Sequence, residues 1–232
     1  MISEQLKNQL ILCLILFGAF IVFTFTISHA DVQTVNAISA ETLNPVDETE
    51  EVGLATLNLR VAEKVSYHKN MVTVSKVLGI VAILLAVFFM ALAVLEMIAR
   101  KSILKADKDL YILGAFYILV ILLYIMFDAL ALNYRPVLLK EELEPSYPST
   151  HTLIGICVFA TSAMQFKNRI PQKAVNLTAV ILCIVSCVAI VVTRLLSGVH
   201  WFTDIIGGIL LSAFLISLYL VGIDLVKNKK EK

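Results

Sequence analysis

Six long apolar runs, each close to the ~20 residues a helix needs to cross ~30 Å of hydrocarbon, leave this chain few folds to choose from. They lie at about Gln9 to Ile27, Met71 to Ile98, Leu110 to Leu132, His151 to Phe166, Ala174 to Leu196, and His200 to Val226. Most are apolar on every side, which excludes amphipathic surface helices. In lipid every backbone polar group must be satisfied inside the span, so a bundle of helices is the expected architecture. The predicted fold class is all-α: a polytopic membrane protein built as a six-transmembrane-helix bundle. Composition agrees, with 59% hydrophobic and only 16% charged residues and a mean hydropathy of +0.88, far from an average soluble domain.

The connecting segments set an orientation. Arg100, Lys101, Lys105 and Lys108 share one side of the membrane with Lys167, Arg169 and Lys173 and with the tail Lys227, Lys229, Lys230 and Lys232. By the positive-inside rule that side is cytoplasmic, which puts both termini inside. The segment from Ala30 to Asn70, on the other side, carries seven acids (Asp31, Glu41, Asp47, Glu48, Glu50, Glu51, Glu63) against three bases (Arg60, Lys64, Lys69). The expected organisation is a first transmembrane helix in 1–29, an outer acidic segment in 30–70, a five-helix core in 71–226 and a basic cytoplasmic tail in 227–232. Leu54, Leu57, Leu59 and Val61, ahead of Glu63, Lys64 and His68, predict a short interfacial helix in that outer loop.

Ser28-His29-Ala30 before Asp31 has the small-x-small form of a signal-peptidase site. The apolar stretch is longer than a usual signal core and Lys7 is balanced by Glu4, so a retained first helix is expected. A net charge of +1 and the lack of a basic patch interleaved with aromatics exclude a nucleic-acid partner. Cys13, Cys157, Cys183 and Cys187 all sit inside apolar runs and read as small buried hydrophobes. His29 and His68 read as solvated, and no metal or other cofactor is expected.

Ionisable residues at membrane depth are expensive and mark function by default. In Arg194-Leu195-Leu196-Ser197-Gly198-Val199-His200-Trp201-Phe202-Thr203-Asp204, histidine and aspartate are four apart and share a helix face. The carboxylate is then placed to hold the imidazole Nδ1–H and leave Nε2 free to attack. Pro148-Ser149-Thr150-His151 opens another apolar run, and its unpaired N–H groups and the Ser149 and Thr150 hydroxyls suit phosphate oxygens. His151, in the first turn, is placed to protonate a leaving oxygen. Tyr134-Arg135-Pro136 adds a second guanidinium at the end of the third run. The charge map puts all three segments on the outer face, where they describe a phosphoryl-transfer pocket neutralised by arginines.

This ordered set resembles the three-part signature of the type 2 phosphatidic acid phosphatase superfamily, in its Gram-positive bacterial form. Five residues separate Arg194 from His200 and three separate His200 from Asp204, with Thr193 where the family usually has serine and Thr150 where glycine is usual. The likeness extends from the Val52 to Asn58 stretch to the last helix. It implies a metal-independent, six-helix lipid phosphatase in which His200 forms a phosphohistidine, Asp204 orients it and His151 is the general acid. Arg135, Arg194, Ser149 and Thr150 would bind the phosphoryl oxygens.

Asp128 stands seven residues before Arg135, where the family normally has lysine. It is expected to lie two turns earlier on the face of Arg135 and to pair with a pocket arginine. Lys76 and Lys140 are the candidate substitute cations. Glu141, Glu142 and Glu144 read as a solvated face, and Gly207-Gly208 with Ser212 as a close helix contact.

The partners implied are a lipid phosphate substrate and the bilayer, with the head group entering from outside. Undecaprenyl diphosphate, phosphatidic acid and phosphatidylglycerophosphate all fit, and the oligomeric state stays open. A lipid phosphotransferase, passing the phosphoryl group from His200 to an alcohol, is a second reading. A non-catalytic lipid-binding membrane protein is a third, and Asp128 is its main support.

Overall fold

The computed structural model describes residues 3–140 and 142–228; Glu141 and the tail lysines Lys229, Lys230 and Lys232 lie outside them. The described chain runs α1 (Glu4–His29), β1 (Gln33–Ser39), β2 (Pro45–Val52), α2 (Ala55–Ala62), α3 (Lys69–Ala99), α4 (Lys108–Leu130), β3 (Val137–Leu138), α5 (Thr150–Arg169), α6 (Lys173–Leu196) and α7 (Phe202–Asn228). Five helices, α1, α3, α4, α6 and α7, are long and apolar enough to cross a membrane. Their outward faces carry large exposed hydrophobics such as Leu14, Val22, Leu84, Leu95, Ile118 and Leu182. A surface of that kind is stable against lipid tails, and the molecule is a multi-pass membrane protein.

Five of the six expected spans are found among the described residues and the sixth is not confirmed: the run from His151 to Phe166 forms α5, a 20-residue helix that is not among those five. Its polar residues explain the difference. Thr152, Thr161, Ser162 and Gln165 are all buried, because α5 packs against α3, α4, α6 and α7. Tyr117 and Thr161 hydroxyls lie 3.0 Å apart, and Gln165 Nε2 donates to the Tyr219 hydroxyl at 3.0 Å. A helix enclosed by protein has partners for such groups and needs no apolar surface all round.

The all-α expectation is also corrected, since the outer acidic segment is not an open loop. β1 and β2 form an antiparallel hairpin with Val35 opposite Glu50 and Gln33 opposite Val52. β3 adds in parallel to β1, Ile38 opposite Val137, giving the order β2-β1-β3. Val35, Ile38, Val46, Thr49 and Val52 supply the β-branched residues that strands favour. The dense acids around them hide that pattern from a charge-based reading.

The short helix expected at Leu54 to Val61 is α2, and it is fastened to the start of α7. Asn58 accepts the Thr203 backbone N–H at 3.1 Å, and its amide donates to Gly53 O and to Thr203 Oγ1, both at 2.9 Å. One of the unpaired N–H groups at the α7 N-terminus is thereby satisfied from 145 residues away.

α1 lies along α7, with Phe17 against Phe214 and with Phe20 and Ile27 buried in the main core. Thr24 Oγ1 meets the Tyr147 hydroxyl at 2.7 Å. Tyr147 in turn lies over Gly207, where a Cβ would stand 2.3 Å from its ring. Glycine there lets the loop before α5 settle onto α7. At the opposite end of the bundle Arg169 bonds Glu96, Asp107, Asp109 and Gln165, and Arg100 bonds Glu96 and Asp107. All four cysteines are free thiols.

Candidate active site

α6 ends at Leu196, and a turn through Gly198, whose φ of 69° suits glycine, delivers His200 just ahead of α7. Asp204, in the first turn of α7, accepts the Trp201 N–H at 3.0 Å on Oδ2, a capping arrangement that fixes the carboxylate. Asn133 donates to its Oδ1 at 3.3 Å. His200 Nδ1 lies 3.4 Å from Asp204 Oδ2, a long contact, and both side chains are buried.

Arg194, 1% exposed, donates from Nη2 to His200 Nε2 at 2.8 Å and from Nη1 to Ser75 Oγ at 3.3 Å. A guanidinium has no lone pair, so Nε2 must be the accepting nitrogen and the ring proton resides on Nδ1, facing Asp204. The tautomer is the one a nucleophilic Nε2 requires. Nε2 is not free, however, as the spacing argument expects. A buried arginine finds the nearest lone pair, and here that is the imidazole. Burial, and then the charges of Arg194, Arg135 and His151, hold His200 well below the usual imidazole range.

Ser149 precedes α5 and its backbone N–H donates to Asp204 O at 3.0 Å, joining the α5 start to the α7 start. Its hydroxyl accepts from Thr152 Oγ1 at 3.0 Å rather than capping the helix. Thr150 is the first helical residue and His151 the second. The His151 ring packs against Gly79 of α3, where a Cβ would lie 3.2 Å from Cδ2. The charges of Arg194, Arg135 and Lys76 all act on it.

Arg135 follows the end of α4 in an irregular strand-like segment. Its N–H donates to Glu144 O at 3.0 Å, and its Nη1 pairs with Glu144 Oε2 at 2.9 Å. The Nε atoms of both Arg135 and Arg194 are buried with no hydrogen-bond partner among the described residues. Two such guanidinium donors near one imidazole suit an anion with several acceptor oxygens.

Three expectations change. Glu144 is not part of a solvated face, because it is the counterion of Arg135 and also pairs with Lys140. Burial works to raise its pKa, but the Lys140 bond and the charges of Arg135, Lys140 and Lys76 outweigh it and keep it below the usual range. Lys140 is thus engaged by Glu144, while Lys76 is exposed beside the buried Ser75 and acts on both Glu144 and His151. Asp128 is exposed and forms no ion pair among the described residues. The shared-face argument fails because α4 stops at Leu130, with Ala131 left-handed at φ 45°, so Arg135 is not on that helix.

Replacing Glu144 with glutamine should free Arg135 and lower KM for a phosphomonoester by up to about fivefold, the size of a partly exposed ion pair, with kcat nearly unchanged. Steady-state kinetics check it, and an unchanged or higher KM would count against Glu144 as a competitor for the anion site.

Sequence reasoning missed Glu50. It lies on β2, is 4% exposed, and accepts the Tyr134 N–H at 3.1 Å on Oε2. Its Oε1 and the Trp201 Nε1 are both buried without a partner among the described residues. Burial, and then the charge of Asp204, push its carboxyl up to about 8. Its signal was the register Val35↔Glu50, invisible without the hairpin.

A pKa raised from 4.5 to about 8 means that the folded state binds the proton more tightly, so this stability is present below pH 4.5 and lost as pH rises through about 8. Glu50→Gln should therefore raise the melting temperature relative to the parent at pH 8 and close that gap toward pH 5. Thermal unfolding at the two pH values tests this, and a pH-independent difference would refute it.

A cavity of about 640 Å³ lies at the far end of the bundle and contains none of these residues. The cavity that touches His200, beside α2, holds only about 10 Å³.

Residues 127–225 match the model of the PAP2 superfamily. No curated protein matches the chain significantly. Among solved structures, a transmembrane PAP2-type phosphatidylglycerolphosphate phosphatase from Bacillus subtilis is similar in fold, with a TM-score of 0.64 and 18% sequence identity over 92% of this chain and 96% of that one. The family segment holds Arg135, Ser149, Thr150, His151, Arg194, His200 and Asp204, whereas Glu50, Ser75, Lys76 and Gly79 precede it.

Proposed function

We propose that this chain is a membrane lipid phosphatase of the PAP2 type, a reading supported by the family match over residues 127–225 and the similar fold of the Bacillus subtilis enzyme, and that it hydrolyses a lipid phosphate or diphosphate without a metal, through a phosphohistidine at His200. The observation that carries this reading is the pair of orphan Nε donors on Arg135 and Arg194 beside an imidazole whose Nε2 holds the lone pair.

In the proposed sequence the substrate phosphate displaces Glu144 from Arg135 and draws Arg194 off His200. Ser149 and the α5 N-terminus complete its cradle at Thr150. The Nε2 lone pair attacks phosphorus, the bond to the lipid oxygen breaks, and His151 gives that oxygen its proton. The dianion itself supplies the negative charge that favours an imidazolium at His151 within a ring of cations. Asp204 stabilises the positive charge that develops on His200. Water then attacks the phosphohistidine, His151 takes the water's proton, and His200 leaves with its Nδ1–H intact. Arg135 and Arg194 neutralise the equatorial oxygens in both steps, the task a divalent cation performs in other phosphoryl-transfer sites.

Charge asymmetry of the loops supports both termini inside and this pocket outside. The Bacillus subtilis relative acts on phosphatidylglycerolphosphate, which makes that lipid the first substrate to test here, ahead of phosphatidic acid and undecaprenyl diphosphate. Purified full-length protein in detergent should release phosphate from at least one of the three with chelator present. His151→Ala should slow that release by about 10²–10⁴-fold, the range of a lost general acid. Abolition by chelator would refute the metal-free route, and an unaffected His151→Ala rate would remove the proton donor.

A further inference from the structure

The 640 Å³ cavity at the end of the bundle away from His200 has the size of a small-molecule site. From His151 to Gln165 along α5 the two sites are about 21 Å apart, at 1.5 Å rise per residue. The cavity lies between the start of α4, the end of α5 and the end of α7, with Ile112, Leu220, Ile223 and Val226 among its apolar lining.

Its charges divide into two groups. Asp107, Asp109 and the neighbouring Glu96 are taken up by Arg100 and Arg169, with distances of 2.9–3.4 Å. Lys105, Lys108 and Lys167 also line the cavity, are exposed, and have no carboxylate within 4.0 Å among the described residues. At the floor, Tyr219 (3% exposed) accepts from Gln165 (1% exposed) and its own O–H has no acceptor among the described residues. Three unpaired ammonium groups and a buried hydroxyl proton therefore surround the mouth and floor of a space whose lower wall is aliphatic.

We propose that this cavity binds an anionic phospholipid of the leaflet opposite the catalytic pocket. Lys105, Lys108 and Lys167 meet the phosphate, and one acyl chain lies along Ile112 and Ile223. Charge complementarity selects an anionic head group. The aliphatic wall, on the flanks of two membrane-spanning helices, selects a lipid over a free anion.

The test is lipid retention by the full-length protein, delipidated in detergent, supplied with dioleoyl phosphatidylglycerol or dioleoyl phosphatidylcholine and read by native mass spectrometry. The parent protein should retain phosphatidylglycerol in preference to phosphatidylcholine. The triple variant Lys105→Gln, Lys108→Gln, Lys167→Gln should lose that preference by about a hundredfold, roughly a factor of five per lysine, while hydrolysing a short-chain soluble phosphate at the parent rate. Ile223→Trp, which fills the cavity without changing charge, should reduce retention as well.

Excess inorganic phosphate separates the two sources of the same head-group chemistry. If it displaces phosphatidylglycerol completely, the site binds free anions and the lipid proposal is overturned. Equal retention of the two lipids by the parent protein, or an unchanged preference in the triple variant, overturns it too. The lipid-retention readouts are independent of turnover at His200.

Discussion

Replacing His200 with alanine should remove phosphate release almost entirely, by a factor on the order of 10⁴–10⁶, the range expected when a nucleophile is deleted. Magnitude discriminates here. A histidine acting only as an acid or base is worth about 10²–10⁴-fold, so a variant retaining one part in a hundred of the activity would demote His200 from nucleophile to helper. Because His200 is buried and accepts from Arg194 at 2.8 Å, the alanine variant also leaves a guanidinium without that partner. His200→Asn, which keeps a polar group in the same space, is the control for folding. Both should show unchanged helical content, and neither should yield the alkali-stable phosphoenzyme that rapid quenching of the parent protein should trap.

Arg194→Lys should lower kcat/KM by about 10²–10³-fold although the charge is kept. The guanidinium reaches His200 and Ser75 simultaneously and has a third donor, Nε, unpartnered in the pocket. An ammonium has no planar fork and cannot hold two neighbours and an equatorial oxygen in the same geometry. Loss of one preorganised donor to a developing oxyanion costs about 2.7–4 kcal/mol in the transition state, so the fall should appear mainly in kcat. A variant that raises KM alone would show that Arg194 only binds. Stability should fall by about 1–3 kcal/mol, since Ser75 and His200 lose a buried donor.

The parts of this molecule that were legible in its sequence are those whose signals are local. Runs of about twenty apolar residues announce α1, α3, α4, α6 and α7 wherever they occur. The four-residue step from His200 to Asp204 brings the two together because Asp204 is in the first turn of a helix. Thr161 and Gln165 inside the fourth run were the visible warning that α5 faces protein, but only its neighbours show why.

What remained hidden depends on register across long separations. Glu50 reaches the site because Val35 pairs with it and Tyr134, 84 residues away, donates to it. Glu144 reads as solvent-facing until the chain between Tyr134 and Pro145 folds back to place it on Arg135. Asp128 failed for a simpler reason: the helix assumed to carry both it and Arg135 ends between them.

With Arg135 as the proposed phosphate-binding residue, the Glu144–Arg135 pair makes the resting pocket an ion exchanger. Any lipid entering must trade its own anion for a carboxylate already in place, and the trade is favourable in proportion to the charge gained. A phosphate diester, the form carried by bulk anionic phospholipid, brings one negative charge and gains nothing over Glu144. A terminal phosphomonoester approaching two ionisations brings nearly twice that charge to the same guanidinium groups. On that reading the carboxylate raises the concentration at which the surrounding diesters compete for Arg135, while the phosphomonoester of the proposed substrate gains from the exchange.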